Sequence, residues 1–291
     1  MRLACLLLLT ATPALAAPQA IPGFASPESV LVAGDRAYVS NVGAALDPLA
    51  HDGDGFISLV GADGTILDRQ AFPRDGTTLD APKGMALLGA TLYVADIDRI
   101  VGFDTEDGTR TTSIPLPPGG PAFANDLAAE PRGTLLVTDT LRNAVYRLDP
   151  ASGGWTLLTD AIPGANGIAL ATGAAASGPI AFVAGIGAGF GGGDVFALDG
   201  SGTPRKVAGA PHGLLDGIVV APDGTILVSD WVSFDPPAPG RITAVAPDGT
   251  ATPLDLGPAL PGPADFSRDD HGRLWIPAMP ENAVRILDPA S

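Results

Sequence analysis

The apolar positions of this chain fall in short runs, many of them β-branched or aromatic and alternating with small or polar residues, and no segment carries a helical stripe. One set ends on a polar residue: Ala37-Tyr38-Val39-Ser40-Asn41, Leu92-Tyr93-Val94-Ala95-Asp96, Leu135-Leu136-Val137-Thr138-Asp139 and Ile226-Leu227-Val228-Ser229-Asp230. A second set follows at residues 56–59, 100–103, 145–148, 195–198, 242–245 and 284–287. Asp-Gly pairs at 63–64, 107–108, 223–224 and 248–249 supply turns between such runs. The pattern predicts an all-β chain.

Ahead of these runs a polar residue enters a small or apolar strand start six times. The segments are Pro27-Glu28-Ser29-Val30, Pro82-Lys83-Gly84-Met85, Ala124-Asn125-Asp126-Leu127, Ala165-Asn166-Gly167-Ile168, Leu215-Asp216-Gly217-Ile218 and Ala264-Asp265-Phe266-Ser267, with polar members 41 to 55 residues apart. Short strands repeating at that period specify a six-bladed β-propeller, one blade per repeat. The six polar residues then face one axis as a ring. The sixth repeat stops after its third strand, and unassigned residues remain around 21–24, so an N-terminal strand is expected to close the last blade and remove two sheet edges. One domain over 17–291 accounts for the chain. In a four-stranded meander the turn between second and third strands lies at the ring's end. That turn is long in repeats one (42–55), four (185–193, Gly-rich) and five (231–240, Pro-rich), so three loops should rise over the ring.

Residues 1–16 read as a secretory signal, with Arg2, an apolar stretch and Ala14-Leu15-Ala16 as the cleavage site. A periplasmic or secreted protein without a membrane-inserted segment is expected. The single cysteine, Cys5, lies in that leader, so the mature chain has no disulfide and no thiol ligand. A formal net charge of −16 argues against nucleic acid and anionic membranes as partners. A small-molecule ligand and a monomer are the expectation. Lys83 and Lys206 are the two lysines, which singles out Lys83 in the ring.

Glu28, Asn125, Asn166 and Asp216 form an all-oxygen set of two carboxylates and two amides. Hard cations such as Ca²⁺ take such ligands, and the lack of histidine in the ring argues against zinc. The same residues could instead solvate the water-filled channel of a propeller. Lys83 either binds a substrate carboxylate or oxyanion, or serves as an internal counter-ion for the surrounding acids.

The order Glu, Asn-Asp, Asn-Gly, Asp-Gly at successive strand starts resembles the regucalcin/gluconolactonase (senescence marker protein) family of six-bladed propellers, many of them calcium- or zinc-dependent lactonases. The likeness spans the mature chain and is strongest at Ala165-Asn166-Gly167-Ile168 and over residues 215–224. It implies Glu28, Asn166 and Asp216 as metal ligands and Asn125 as a direct or water-mediated one. Ca²⁺ is the implied metal, with Zn²⁺, Mn²⁺ or Mg²⁺ as alternatives, and Asp216 doubles as the base. Asp126 or Asp265 could also take the proton, and Lys83, Asn125 and Asp265 would contact substrate. Ser29-Val30 stand where the family usually has Gly-Pro. Phe123-Ala124 stand where it often places a sugar-binding arginine, which counts against a sugar lactone, and Lys83, from another blade, makes an anionic or non-sugar substrate the expectation. The implied activity is hydrolysis of a lactone or ester. The alternative is a non-catalytic propeller, since Lys83-Gly84 and the 92–96 strand are similar to NHL-type repeats that bind a metal or small ligand as scaffold or sensor. His51 and His212 fall in loops near the ring and could transfer protons. Residues 189–193 lack the Lys-Ser/Thr of a phosphate loop, and no Gly-x-Ser-x-Gly elbow occurs.

Overall fold

Every run read as a strand forms one, and the strands sort into six antiparallel sheets. The computed structural model describes residues 19–288 apart from 174, 176, 177 and 258; the expected leader with Cys5 lies outside them. Blade 1 comprises Pro27–Ala33, Arg36–Asn41, Phe56–Gly61 and Ile66–Phe72. Blade 2 comprises Pro82–Leu88, Thr91–Asp96, Arg99–Asp104 and Arg110–Pro115. Blade 3 runs through Ala124–Ala129, Leu135–Asp139, Ala144–Asp149 and Gly154–Thr159. Blade 4 is built from Ala165–Leu170, Ala181–Gly185, Val195–Leu198 and Pro204–Lys206. In blade 5, Leu215–Val220, Ile226–Asp230, Pro239–Val245 and Ala251–Pro253 are joined by Leu260–Pro261, which also pairs with the third strand.

Blade 6 is the closure. Ser267–Arg268, Leu274–Ala278 and Ala283–Leu287 accept Gln19–Pro22 as their outer strand, with Gln19 opposite Ile286 and Pro22 opposite Ala283. The first and last strands of the described residues thus share one sheet. Ile21 and Phe24 pack with Trp275, Val284 and Ile286 of blade 6 and with Val30 and Val39 of blade 1.

The core is divided among the blade interfaces. One cluster joins Tyr38, Ile57 and Phe72 of blade 1 to Met85, Val94 and Phe103 of blade 2. Equivalent clusters join blades 2 and 3, 3 and 4, 4 and 5, and 5 and 6. Each middle strand therefore buries both faces, which explains its continuous apolar run. The outer strands went unread in the sequence for the opposite reason. Arg110–Pro115 and Ala251–Pro253, for example, are mostly exposed and carry no apolar alternation.

The two faces of the disc differ. The Asp-Gly turns at 63–64, 107–108, 223–224 and 248–249 all lie at the end away from the inner-strand starts. In each, the Asp Oδ1 accepts the N–H of the following Thr (Thr65, Thr109, Thr225, Thr250) at 2.8–3.0 Å, and the Gly has φ between 74° and 88°. The long connections 42–55, 186–194 and 231–238 rise at the other end.

Candidate functional site

Five inner strands begin with a slip in register, between Pro27 and Ser29, Pro82 and Met85, Ala124 and Leu127, Ala165 and Ile168, and Leu215 and Ile218. A bulge takes a residue out of the ladder and re-aims its side chain. The residues so placed are Glu28, Lys83, Asn125, Asn166 and Asp216, all buried. Hydroxyls on the second strands hold three of the bulges: Ser40 accepts from Ser29 N at 2.9 Å, Thr138 from Asp126 N at 2.9 Å, and Ser229 from Gly217 N at 2.8 Å. The polar residues that end the second strands brace the connections leading in. Asn41 Oδ1 accepts from Ala25 N, Asp96 from Ala81 N, Asp139 from Phe123 N and Asp230 from Leu214 N, at 2.9–3.0 Å. That is why so many strand runs end on Asp or Asn.

Glu28, Asn125, Asn166 and Asp216 meet at an axial cavity of about 120 Å³. Each contributes one oxygen, Oε2 of Glu28 and Oδ1 of the other three, that is buried without a hydrogen-bond partner. A buried acceptor left unpaired costs about 1–3 kcal/mol, so four at one cavity mark a place where something else is meant to bind. The other Asp216 oxygen, Oδ2, accepts the indole N–H of Trp231 at 2.6 Å, and Asn166 Nδ2 donates to Leu215 O at 3.4 Å. The donor set fits a hard divalent cation, which prefers neutral and anionic oxygens. Among the described residues no three His, Cys, Asp or Glu side chains form a metal cluster; the cradle is half amide.

The electrostatics agree. Burial, then Asp216 and Asp265, push the Glu28 carboxyl well above its usual range. Burial raises Asp216 to about 7 against the opposing Trp231 hydrogen bond. Lys83 is lowered to about 8 by burial, although Glu28, Asp96 and Asp80 pull it the other way. One lysine does not compensate the acids on this axis.

Three expectations need correction. Lys83 is fully buried and does not line the cavity. Its ammonium donates to Ala81 O at 2.7 Å and lies 4.6 Å from the centre of the Phe123 ring, which does line it. Phe123 thus faces the cavity where the lysine was expected to, and the lysine lies against its ring from within. Asp265 is displaced by one register position. Pro263 bridges Ala278 as Pro27 bridges Asn41, so Ala264 fills the ring position in blade 6 and Asp265 matches Ser29, Gly84, Asp126, Gly167 and Gly217. Asp126 belongs to that second ring, and both its oxygens are committed, Oδ1 to Leu127 N and Oδ2 to Ile168 N, each at 2.7 Å. Asp126 and Asp265 face a separate 250 Å³ recess with Arg268 and Thr172, so neither reaches the axial cavity as base or substrate ligand.

The second ring explains its glycines. A Cβ at Gly84 would overlap the Asp126 carboxylate and main chain, and one at Gly217 would overlap Asp265. Sequence reasoning missed the walls of the cavity: Phe123, Ile186, Phe190, Trp231, Phe234 and Met279, with Leu46 and Pro48. The signal for them was the three long loops, each of which contributes. His51 and His212 are exposed and pair with Asp80 (3.3 Å) and Asp194 (3.0 Å) instead of lining this cavity. Larger recesses lie elsewhere. In one of 540 Å³ between blades 2 and 3, Arg142 is bonded to Pro117 O and Gly120 O; another of 340 Å³ lies at the far face of blades 4 and 5. Neither gathers unpartnered side-chain oxygens.

No protein-family model and no curated protein sequence matches this chain. Its fold is shared with virginiamycin B lyase from Staphylococcus aureus at a TM-score of 0.64 and 16% identity, over 93% of this chain and 98% of that one. A provisionally named gluconolactonase superposes at 0.65 and 18% identity, over 93% and 92%. Hydrazine synthase from Kuenenia stuttgartiensis gives 0.63 and 17%, over 91% and 77%. At these identities the likeness establishes the six-bladed propeller fold.

Proposed function

We propose that this chain is an exported, divalent-cation-dependent hydrolase of a lactone or ester, related to the regucalcin/gluconolactonase group. The observation that carries the proposal is the convergence of four unpartnered buried oxygens, from Glu28, Asn125, Asn166 and Asp216, at one cavity. These residues would hold the cation, with Ca²⁺ favoured because every donor is oxygen. A cation bound there would polarise a carbonyl and lower the pKa of water. The chain's own contribution begins with Asp216, whose Oδ2 is pinned by Trp231, so that Oδ1 serves both purposes: one lone pair would ligate the cation and the other would take the proton of the attacking water. The water oxygen adds to the acyl carbon, the acyl–oxygen bond breaks, and Asp216 passes the proton it took on to the departing alkoxide, leaving a carboxyl group and a hydroxyl. The apolar walls keep bulk water out and strengthen each polar contact within.

A lyase reading draws on the virginiamycin B lyase likeness, which includes a catalytically inactive His-to-Ala variant of that enzyme with quinupristin. No histidine lines the axial cavity here, which favours the carboxylate-based hydrolase. A capped structural metal site is disfavoured by the mouth of the cavity, where Leu46, Phe190 and Phe234 are 48%, 38% and 43% exposed. The test combines calorimetric titration with Ca²⁺, Mg²⁺, Mn²⁺ and Zn²⁺ with turnover of lactones and aryl esters before and after chelation. Chelator-sensitive hydrolysis is expected. Hydrolysis unaffected by chelation, or no cation binding at millimolar concentration, would remove the proposal.

A further inference from the structure

Above the four cradle oxygens the cavity is apolar throughout. Phe123 and Ile186 are buried in its wall, Trp231 and Met279 complete it, and Leu46, Phe190 and Phe234 carry it to the surface. The rings are paired. Phe190 meets Phe123 edge-on at 6.4 Å, and Phe234 lies 5.2 Å from Trp231. Phe190 holds φ at 60° and Val232, between Trp231 and Phe234, holds φ at 67°. Bulky residues adopt this left-handed region at a cost, and such outliers concentrate where a loop must present a particular side chain.

A hydroxylated sugar ring has no partners here. The Trp231 N–H is donated to Asp216. Lys83 is bonded to Ala81 O, and Asp265 accepts the Ser29 hydroxyl at 2.5 Å. Every polar side chain lining the cavity, the indole apart, belongs to the cation cradle. Burying hydroxyls against these walls would leave them unsatisfied, whereas burying methylenes is favourable. Size narrows the choice further. A dry apolar cavity of about 150 Å³ takes benzene, so 120 Å³ holds one small ring or a short alkyl chain, with anything longer running out past the exposed rings.

Building on the hydrolase reading, we infer that the substrate is an apolar lactone or ester. Its carbonyl would face the cation held by the four oxygens, and a ring-sized hydrocarbon group lies between Phe123 and Trp231. Sugar lactones are rejected.

Three lactones that share a six-membered ring provide the kinetic test: glucono-δ-lactone, δ-valerolactone and δ-nonalactone. kcat/KM should rise about three- to fourfold per added methylene over the first few carbons and then level off as the cavity fills, with gluconolactone lowest. Binding is read separately from turnover by saturation-transfer NMR, using 4-butylcyclohexanone as a neutral, non-hydrolysable probe and glucose as its polar counterpart. The ketone should bind and glucose should not. Phe190→Ser combined with Phe234→Ser changes two exposed side chains and should weaken ketone binding about tenfold with an unchanged melting curve. Leu157→Ser, on an exposed outer strand, should change nothing. Ketone binding without turnover of any lactone would sink the hydrolase reading and leave standing the cavity's selectivity for an apolar carbonyl compound. Gluconolactone hydrolysed as efficiently as nonalactone would overturn the inference and leave the hydrolase reading standing. Glucose bound as well as the ketone, or ketone binding absent or indifferent to the two serines, would also overturn it.

Discussion

Asn125 and Asp126 are neighbours in sequence and belong to two axial rings of opposite character. In the ring of Glu28, Asn125, Asn166 and Asp216, each side chain keeps an oxygen without a partner. In the ring beneath it, Asp126 accepts two main-chain N–H groups and Asp265 accepts Ser29, while glycines at 84, 167 and 217 let the strands close on one another. Burial raises the carboxyls of both rings, Asp126 and Asp216 alike to about 7. Perturbed titration therefore does not distinguish a binding group from a structural one at this axis. Hydrogen-bond satisfaction does. The upper ring keeps four acceptors without partners at the cavity, and the lower ring bonds one blade to the next.

Exchanging the perturbation between the rings is the strongest way to break this comparison. Asp216→Ala should lower kcat about 10³-fold, near what the loss of one directly acting catalytic group costs, while the melting temperature of the cation-free protein holds or rises. Turnover at wild-type rate in that variant would take Asp216 out of the mechanism. Asp126→Ala should do the reverse. Two buried N–H groups lose their acceptor, so denaturant unfolding should report a loss of about 2–5 kcal/mol, with cation affinity changed less than tenfold. If Asp126→Ala abolishes cation binding in protein that is still folded, the division between the rings is wrong.

The sequence announced the upper ring and concealed the lower one. Polar residues at strand starts stood out at 28, 125, 166 and 216 because an apolar or small context surrounds each, and the Asp-Gly turns and middle-strand runs fixed six repeats. The bulge in each inner strand is invisible in sequence, and a one-residue slip sends a side chain to another place. Asp265 was therefore assigned to the ring that Ala264 occupies, and Asp126 to a cavity that it does not reach. Lys83 was legible as an exception but not as a buried one. Its burial depends on Phe123, a residue forty positions away that only the fold brings beneath its ammonium. The outer strands were unreadable for want of any apolar pattern.

pH sharpens the comparison at an intermediate scale. The folded-state carboxyls of Asp216 and Asp126 are raised to about 7, and those of Glu28 and Asp265 lie well above their ordinary values. In the unfolded chain these groups titrate near 4. Between about pH 4 and 7 the native state thus binds more protons, and its stability falls as pH rises through the folded pKa. The cation-free protein should melt about 5 °C lower at pH 8 than at pH 5. The surface aspartates with lowered pKa, such as Asp75 at about 2, act below this window and leave the comparison clean. Saturating Ca²⁺ should cancel the part due to Glu28 and Asp216 and leave the part due to Asp126 and Asp265. A melting temperature independent of pH in the presence of chelator would contradict the buried-acid account of the axis.

The smallest expected effect tests how the rings are joined. Thr138 Oγ1 accepts the N–H of Asp126, holding the bulge that aims Asn125, and donates to the main-chain oxygen of Asn166 in the next blade at 2.6 Å. One hydroxyl therefore sets the position of two cradle residues on different sheets while touching neither of their free oxygens. Thr138→Val keeps the shape and removes both hydrogen bonds, leaving a buried N–H and a buried carbonyl with one partner fewer. Unfolding should show a loss of about 1–2 kcal/mol. If the hydroxyl also aligns the cradle, calorimetry should show Ca²⁺ binding weakened about three- to tenfold, in excess of any change seen for Ser40→Ala. Ser40 holds only the Glu28 bulge, since its hydroxyl bonds stay with Ser29 of its own blade. Equal losses of affinity in the two variants would mean that the blades position the cradle independently, and that the hydroxyl bridging blades 3 and 4 contributes stability alone.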